Sequence, residues 1–350
     1  MSEMTGAGPS ADAPASPPAE VSAGRDGENP QDPHRRKRRP GRIALIVIGS
    51  ILSLAIVAAA GGYAYFNHLT SSIPRIKVGG LAAANSSAET ILVTANQLGP
   101  TGANGQTAPA SATSELFMLL HINADGRAGG AATIPGDTIV NVPGYGAHPL
   151  WYADLVGGPS LLVKTITDAT GVPINHYARI DFTHTASLLD AIGGVTVIMP
   201  DTSTAFGQSF HKGANFLTGV LGVYYARDPT VSQEDRTLRQ EVIVRKAMAK
   251  IGNDHLLTDP LTVVSVLKAL TSALTLDSNL TNADVVSLSA KLRYLTGSAA
   301  TFVTAPTQTV NGKLVLNTAI SSQLWTAVKK DDIAGFAKQY PATLTPLVVP

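Results

Sequence analysis

Three arginines gather around the start of one predicted helix, in the last third of the chain. Arg227 precedes a short loop, and Arg236, Arg239 and Gln240 follow within a helix predicted over about 232–251. The spacing i, i+3 and i+4 places these last three side chains on one helix face. Guanidinium groups bind phosphate oxygens through paired hydrogen bonds. This pattern indicates a phosphate or diphosphate ligand.

A second interpretation of the same helix needs no ligand. The run Ser232–Asp235 matches a capping box, and its acids could pair with the arginines on a solvated surface. Ile243 and Ala247 continue the arginine stripe, so this face is not simply solvent-exposed. Both interpretations remain open on these residues alone.

Metal and nucleotide motifs are sparse. The eight histidines form neither an HExxH signature nor an i, i+4 pair on a predicted helix, and cysteine is absent. A Mg²⁺ site leaves little sequence trace, because one or two carboxylates plus a substrate phosphate suffice. Asp137 and Glu115, each beside a predicted strand, are candidates for such a site. Neither a GxxxxGK[ST] loop nor a GxSxG elbow occurs.

Composition excludes further classes of function. The formal net charge is +1 and only 15% of the 350 residues are charged, which argues against a nucleic-acid partner held by bulk electrostatics. Without cysteine, there is no thiol nucleophile and no disulfide framework.

The N-terminal region has the pattern of a membrane anchor. Residues 1–42 are rich in Ala, Pro, Gly and Ser and end in a basic run, which predicts a disordered tail with a basic flank. Residues 43–66 carry no charge and are long enough to cross a bilayer as one helix. The positive-inside rule then places residues 1–42 in the cytoplasm and residues 67–350 outside the cell. A cleaved signal peptide, or a nucleic-acid patch in the basic run, is the alternative.

The remaining chain alternates strands and helices, which predicts an α/β sheet covered on both faces. Residues 67–110 are predicted to hold a linker and a first strand, and residues 111–350 one exported domain. The apolar run 116–122 is typical of a strand buried on both faces. Strands are also predicted at 90–94, within 131–142, and at 176–182, 195–199, 300–304 and 313–316. Helices are predicted at 160–170, 183–192, 232–251, 259–275, 281–294 and 318–328.

An ordered series of short motifs resembles the LytR-CpsA-Psr family of envelope proteins. Each motif is weak, but their order and spacing together are specific. They are Phe117–Ile122, Thr133–Asp137, Val142–Gly146, Gly157–Pro159 with Leu161–Thr165, Gly171–Tyr177, Ile180–Phe182, Asp190–Val195, Leu217–Gly219, Tyr225–Arg227 and Arg236–Gln240.

This resemblance implies an α/β/α sandwich around a mixed β-sheet with an apolar tunnel, preceded by one transmembrane helix. It implies transfer of a polyprenyl-diphosphate-linked glycopolymer to peptidoglycan by a protein held in the membrane bilayer, with Mg²⁺ assisting. The residues carried over are Arg227, Arg236, Arg239 and Asp137 for catalysis, Gln240, Lys164 and Asn96 for substrate, and Asp137 with Glu115 for the metal.

The sequence departs from the family pattern on the N-terminal side of this site. Leu98, Thr113 and Gly136 occupy positions where the family places arginines, and Asn96 and Glu115 replace aspartates. Each charge-assisted hydrogen bond lost costs about 1.5–3 kcal/mol. A second hypothesis is therefore a catalytically degenerate member that binds the lipid-linked polymer without transferring it. A transcriptional attenuator is a further family label, and the predicted topology argues against it.

Overall fold

The computed structural model describes residues 61–83, 88–96, 114–181, 184–253, 260–292 and 300–349. All of them belong to the unit Ala59–Pro350. The predicted tail 1–42, most of the predicted span 43–66, Leu98 and Thr113 lie outside the described residues. Within the described ranges, no helix combines the length and the apolar character needed to cross a membrane.

The described residues contain fifteen strands, numbered in chain order. They are β1 (Arg75–Ile76), β2 (Glu89–Asn96), β3 (Ser114–Ile122), β4 (Gly129–Thr133), β5 (Ile139–Val142), β6 (Gly146–Pro149), β7 (His176–Asp181), β8 (Val195–Met199), β9 (Ser203–Ala205), β10 (Gln208–Phe210), β11 (Gly213–Leu217), β12 (Leu274–Asp277), β13 (Ala300–Thr304), β14 (Thr307–Val310) and β15 (Lys313–Leu316).

The helical segments are named in the same way. They are α1 (61–71), α2 (Leu150–Thr170), α3 (Thr185–Ala191), α4 (Gly219–Ala226), α5 (Gln233–Asn253), α6 (Pro260–Ala273), α7 (Asn282–Leu292), α8 (Thr318–Lys329) and α9 (Ile333–Gln339), with a 3-10 turn at Pro341–Thr343.

The central sheet is mixed and has the strand order β1-β12-β7-β2-β3-β4-β13. Strands β2 and β7 run parallel, as do β4 and β13, while β3 runs antiparallel to both of its neighbours. A four-stranded sheet of order β14-β15-β5-β6 and two ribbons, β9–β10 and β8–β11, surround it. The predicted mixed α/β fold is confirmed.

Two apolar layers cover the two faces of this sheet. In β3, Met118 and Leu120 pack in the layer shared with α3 to α7, whereas Phe117 and Leu119 pack in the layer shared with α2, α8 and α9. Successive strand residues point to opposite faces, so a continuous apolar run fills both layers. Burial on both faces of this strand was predicted from the run 116–122.

Helix α2 is the main correction to the predicted elements. It begins at Leu150 rather than near Ser160, and its helical backbone is interrupted at Gly158 (φ 60°, ψ −162°), next to Pro159. Glycine adopts this positive φ without a steric penalty, so the Gly-Gly-Pro run kinks a longer helix. Ser160 lies inside this helix, and its Oγ accepts a hydrogen bond from the Gly79 amide at 2.8 Å.

Smaller elements escaped prediction because they depend on tertiary pairing. Strand β12 begins within the predicted helix 259–275 and is fixed by pairing with β1 and β7. The ribbon β9–β10 and helix α4 had no periodic signal of their own.

Candidate functional site

Several sequence-predicted residues meet at one end of the central sheet. Asn96 ends β2 and lies in register with Asp181, which ends β7, and with Ser114, which begins β3. Glu115 is the second residue of β3. Thr133 ends β4 at the same end of the sheet, because Met118 of β3 pairs with it. The strand order therefore brings Asn96 and Glu115 close to the segment Thr133–Asp137, although their side chains lie outside the described structure.

Asp137 lies four residues after the end of β4 and is exposed, whereas Ile134 to Gly136 before it and Thr138 after it are buried. Its Oδ1 accepts a hydrogen bond from Trp151 Nε1 of α2 at 3.1 Å. Gly136, where the family resemblance predicts an arginine, is buried, and its carbonyl accepts a hydrogen bond from the Trp151 amide at 3.2 Å. This loop is thus held from the α2 side.

Helix α5 begins as its capping box predicts. Ser232 Oγ accepts a hydrogen bond from the Asp235 amide at 3.0 Å and donates one to Asp235 Oδ2 at 2.7 Å. Two acidic residues in the first turn, Glu234 and Asp235, also stabilise the helix by interacting with the positive end of its dipole.

Arg239 and Gln240 are both fully buried. Arg239 Nη1 donates to Asp228 Oδ2 at 2.9 Å and to the Tyr225 carbonyl at 3.1 Å, and the guanidinium lies 4.7 Å from the Tyr225 ring centroid. Gln240 Nε2 donates to the Ala226 carbonyl at 3.4 Å. These two residues therefore hold the end of α4 against α5, an arrangement that neither sequence interpretation of the arginine stripe contained.

Asp228 is the partner that sequence reasoning missed. Its side chain is fully buried, and its Oδ1 accepts the Thr230 hydroxyl at 2.6 Å and the Thr230 amide at 2.9 Å. Burial acts to raise the pKa of Asp228, but the Thr230 hydrogen bonds and the Arg239 guanidinium outweigh it and hold that pKa below its ordinary value. Asp228 stays ionised, so the loop after Arg227 is closed by a buried ion pair. The sequence signal for this ion pair was an acidic residue directly after Arg227.

Arg227 and Arg236 are only partly buried. Arg227 is the C-cap of α4, and Arg236 Nη1 donates to the Val231 carbonyl at 2.9 Å, across the same loop. The Arg239–Asp228 pair thus fixes the loop that carries Arg227, and Arg236 spans it. Of the three predicted arginines, these two have solvent access.

Glu241 joins the arginine helix to the strand end. It is fully buried, and its Oε1 accepts a hydrogen bond from the Thr345 hydroxyl in the C-terminal segment. Burial raises the pKa of Glu241 to about 7, against the opposing influence of Thr345, Thr133 and Arg245. Glu241 therefore ties α5 to the C-terminal segment, and Thr133, the last residue of β4, lies near enough to influence its pKa.

A second buried network lies near the same sheet end, on the α2 face. Thr94 Oγ1 and Tyr177 OH are 2.8 Å apart, Arg179 Nε donates to Tyr177 OH at 2.9 Å, and Arg179 Nη2 donates to Asp154 Oδ1 at 3.2 Å. Burial raises the pKa of Tyr177, although the nearby Arg179 charge opposes it. No sequence pattern predicted this network, because Asp154 falls in the half of α2 that was not predicted.

Lys164 lies away from these contacts. It is exposed and forms an i, i+4 ion pair with Asp168 on α2 at 2.9 Å. Such a pair contributes about 0.3–0.5 kcal/mol to helix stability. No contact of Lys164 with the arginine loop is found among the described residues, so its role with substrate remains a prediction.

Oxygen ligands suited to Mg²⁺ are few at this end of the sheet. No group of three or more His, Asp or Glu side chains able to hold a metal occurs within the ranges that the structure describes. Among the described side chains at this end, Asp137 supplies an exposed carboxylate, which fits a Mg²⁺ ion that takes its other ligands from substrate phosphates and water. Glu115 lies on the neighbouring strand β3. Its backbone position alone makes it a candidate for a second carboxylate ligand.

A family model described as the LytR_cpsA_psr family matches residues 77–333. The probable cell wall biosynthesis protein LcpB of Corynebacterium glutamicum is 31% identical over 151 residues, which are 42% of this chain and 36% of that protein. A protein of Oceanobacillus iheyensis named polyisoprenyl-teichoic acid–peptidoglycan teichoic acid transferase TagU is 29% identical over 163 residues, 44% of this chain and 51% of that protein. The chain thus spans about a third to a half of these relatives' own length.

A solved structure, the LytR-Csp2A-Psr enzyme from Actinomyces oris, superposes with a TM-score of 0.59. The two chains are 19% identical over 73% of this chain and 95% of that one. At this identity the likeness concerns the fold, and the central mixed sheet is what they share.

Proposed function

This chain belongs to the LytR-CpsA-Psr family, and we propose that it transfers a polyprenyl-diphosphate-linked glycopolymer to peptidoglycan. The observation that carries the proposal is the closed loop between α4 and α5. The buried Arg239–Asp228 pair fixes this loop, which presents Arg227 and Arg236 with solvent access. Further along α5, Glu241 lies near Thr133, four residues before Asp137.

The proposed chemistry follows from this charge arrangement. Transfer forms a bond from an acceptor hydroxyl to the phosphorus that carries the polymer, and it breaks the diphosphate bond to the lipid phosphate. Negative charge grows on the departing lipid phosphate, and fixed cationic donors stabilise such charge in the transition state. We assign this task to Arg227 and Arg236, and we assign the fixing of their loop to Arg239 and Gln240.

Asp137, with Glu115, would hold Mg²⁺ against the phosphate oxygens. A bound Mg²⁺ would neutralise phosphate charge during transfer.

The proposal also includes the setting of the reaction. The uncharged span 43–66 would anchor the chain in the cell membrane, with its N-terminus in the cytoplasm and the α/β domain outside. The polyprenyl tail would enter an apolar tunnel beside the central sheet. Partly buried side chains on α5, among them Leu238, Val244 and Met248, offer an apolar boundary for such a tail.

A second candidate function is binding without transfer. Gly136 stands where an arginine is expected, and Arg239 is committed to Asp228 rather than open to a ligand. Both observations reduce the cationic donors available to a diphosphate. A degenerate member of this kind would carry the lipid-linked polymer or assist an active relative.

A transfer assay with the full chain in detergent separates the two functions. The assay contains a polyprenyl-diphosphate-linked glycopolymer, peptidoglycan and Mg²⁺. We expect Arg236→Ala to reduce transfer by about tenfold or more, because a charge-assisted hydrogen bond to the transition state is lost. Lys212→Ala is the control, because Lys212 is an exposed cation that pairs only loosely with Asp201 at 3.6 Å.

The outcomes of this assay distinguish the transferase from the carrier. Turnover that depends on Arg236 but not on Lys212 supports the transferase. Binding of the lipid-linked polymer without any turnover supports the carrier. Absence of binding to the lipid diphosphate at low salt overturns both.

A further inference from the structure

The ribbon β9–β10 ends in a two-residue turn with an unusual residue. Ala205 pairs with Gln208, so Phe206 and Gly207 form the turn, and their φ angles are 51° and 77°. Two positive φ values are the requirement of a type I′ hairpin turn, which strongly favours Asn-Gly or Asp-Gly. An aromatic side chain in this backbone conformation is strained.

A second hairpin in the same chain shows the ordinary solution. Val310 pairs with Lys313, and the turn between them is Asn311-Gly312, with φ angles of 51° and 73°. The two turns have nearly the same backbone, yet one carries the favoured asparagine and the other a phenylalanine. Strain of this kind persists in native proteins mainly where a function requires it.

The phenylalanine is also exposed. Phe206 is 52% exposed, although its ring stacks on Tyr224 at a centroid distance of 5.0 Å and an interplanar angle of 28°. Tyr224 is itself only partly buried. The pair forms a flat aromatic surface open to solvent, which we call the Phe206–Tyr224 platform.

The platform is attached directly to the arginine loop. Tyr224 lies three residues before Arg227 on α4, which places the two side chains on one side of the helix end. Ser203, at the start of β9, donates its hydroxyl hydrogen to Asp228 Oδ2 at 3.4 Å. The ribbon is anchored below the platform as well, because Phe210 packs edge-on against Tyr225 at 5.9 Å.

We infer that the Phe206–Tyr224 platform binds a sugar ring of the lipid-linked polymer next to its diphosphate, an inference that rests on the proposed function. A pyranose ring has an apolar C–H face, and aromatic rings are the large flat apolar surfaces that such a face packs against. The diphosphate at Arg227 would leave the adjoining sugar within reach of a platform one helical turn away. Sugar binding would thus be the function for which the chain keeps a strained, exposed aromatic residue in this turn.

The test compares two probes on the full chain in detergent. One probe is a short polyprenyl diphosphate that carries one pyranose sugar, and the other is the same lipid diphosphate without the sugar. The readout is the ratio of their dissociation constants, measured by calorimetry. We expect Phe206→Asn to weaken binding of the sugar-bearing probe by about five- to tenfold, while the sugar-free probe binds as to wild type.

Stability provides an independent readout. Phe206→Asn places the favoured residue in the turn, so the melting temperature should stay constant or rise while affinity for the sugar falls. Phe206→Tyr keeps a flat ring and should retain the wild-type ratio. Phe216→Ala is the control, because Phe216 is a 60% exposed aromatic on the separate β8–β11 ribbon.

Each other outcome has a fixed meaning. An unchanged ratio in Phe206→Asn overturns the sugar platform and leaves the proposed function standing. Equal weakening for both probes assigns Phe206 to the lipid diphosphate or to packing, and it also overturns the platform. Binding of neither probe by the wild-type chain overturns the proposed function and this inference together.

Discussion

Two neighbouring regions form the candidate site, and they are held by different means. The loop between α4 and α5 is closed by a fully buried ion pair, Arg239–Asp228, and by the hydrogen bonds of Thr230. The segment Thr133–Asp137 ends in an exposed aspartate with a single hydrogen bond from Trp151. The first region is rigid and cationic. The second is buried as far as Gly136, opens to solvent at Asp137, and has glycine where the family resemblance predicts an arginine. The candidate site thus has a loop closed by buried charges on one side and an exposed carboxylate on the other.

The largest expected effect tests the rigid side. Arg239→Ala leaves the Asp228 carboxylate buried without its charged partner, which costs about 3–5 kcal/mol in the free energy of unfolding. Lys164→Ala removes a cation at the same 2.9 Å distance from Asp168, but both of those side chains are exposed. That control should change stability by no more than about 1 kcal/mol. Urea denaturation of the two variants measures both.

Equal losses of unfolding free energy in Arg239→Ala and Lys164→Ala would contradict the conclusion that the buried pair contributes more than the exposed one. A further variant keeps the test informative if Arg239→Ala does not fold. Replacing both partners, with Arg239→Met and Asp228→Leu, removes the charges together and should recover much of the stability.

The next effect tests the connection between the two regions. The pKa of Glu241 is about 7 in the folded chain, above its ordinary value of 4.5. A carboxyl with a raised pKa binds its proton more tightly when folded, so its contribution to stability is complete below pH 4.5 and is lost as the pH rises through 7. The loss is on the order of 3 kcal/mol between pH 4.5 and 8.

Glu241→Gln should remove this part of the pH dependence, because an amide does not ionise. Urea denaturation at pH 5 and pH 8 measures it, and Glu234→Gln, an exposed position in the first turn of α5, is the control. If the variant keeps the wild-type pH dependence, then burial does not raise the pKa of Glu241, and another group causes the pH dependence.

The smallest effect tests the open side. Trp151→Phe removes the hydrogen bond to Asp137, and an exposed neutral donor to a carboxylate contributes about 1 kcal/mol. Trp325→Phe, on the buried face of α8, is the control, because Trp325 is 4% exposed and its truncation opens a cavity. Thermal unfolding should show a larger loss for the control. A loss in Trp151→Phe as large as that in Arg239→Ala would break the comparison between the regions.

Much of the fold was determined by local sequence patterns. The apolar run 116–122, the alternating strand 176–181 and the capped helix that begins at Gln233 all form where their patterns predict. Hydrophobic periodicity, glycine and capping residues act over a few residues, so they can be recognised without knowledge of the partner elements. The arginine stripe of α5 was visible for the same reason.

The burial of that stripe was decided only by the tertiary structure. Helical spacing places Arg239 beside Gln240, but it does not reveal that α4 covers both or that Asp228 neutralises the charge. The Phe206–Tyr224 stack and the Glu241–Thr345 contact likewise join residues of different elements. Long-range packing determines which side chains are buried. A buried arginine such as Arg239 stabilises the loop, whereas an arginine with solvent access can bind a phosphate. The sequence therefore determined which charges exist in the site, and the packing of α4, α5 and the strand ends decided what each of them can contact.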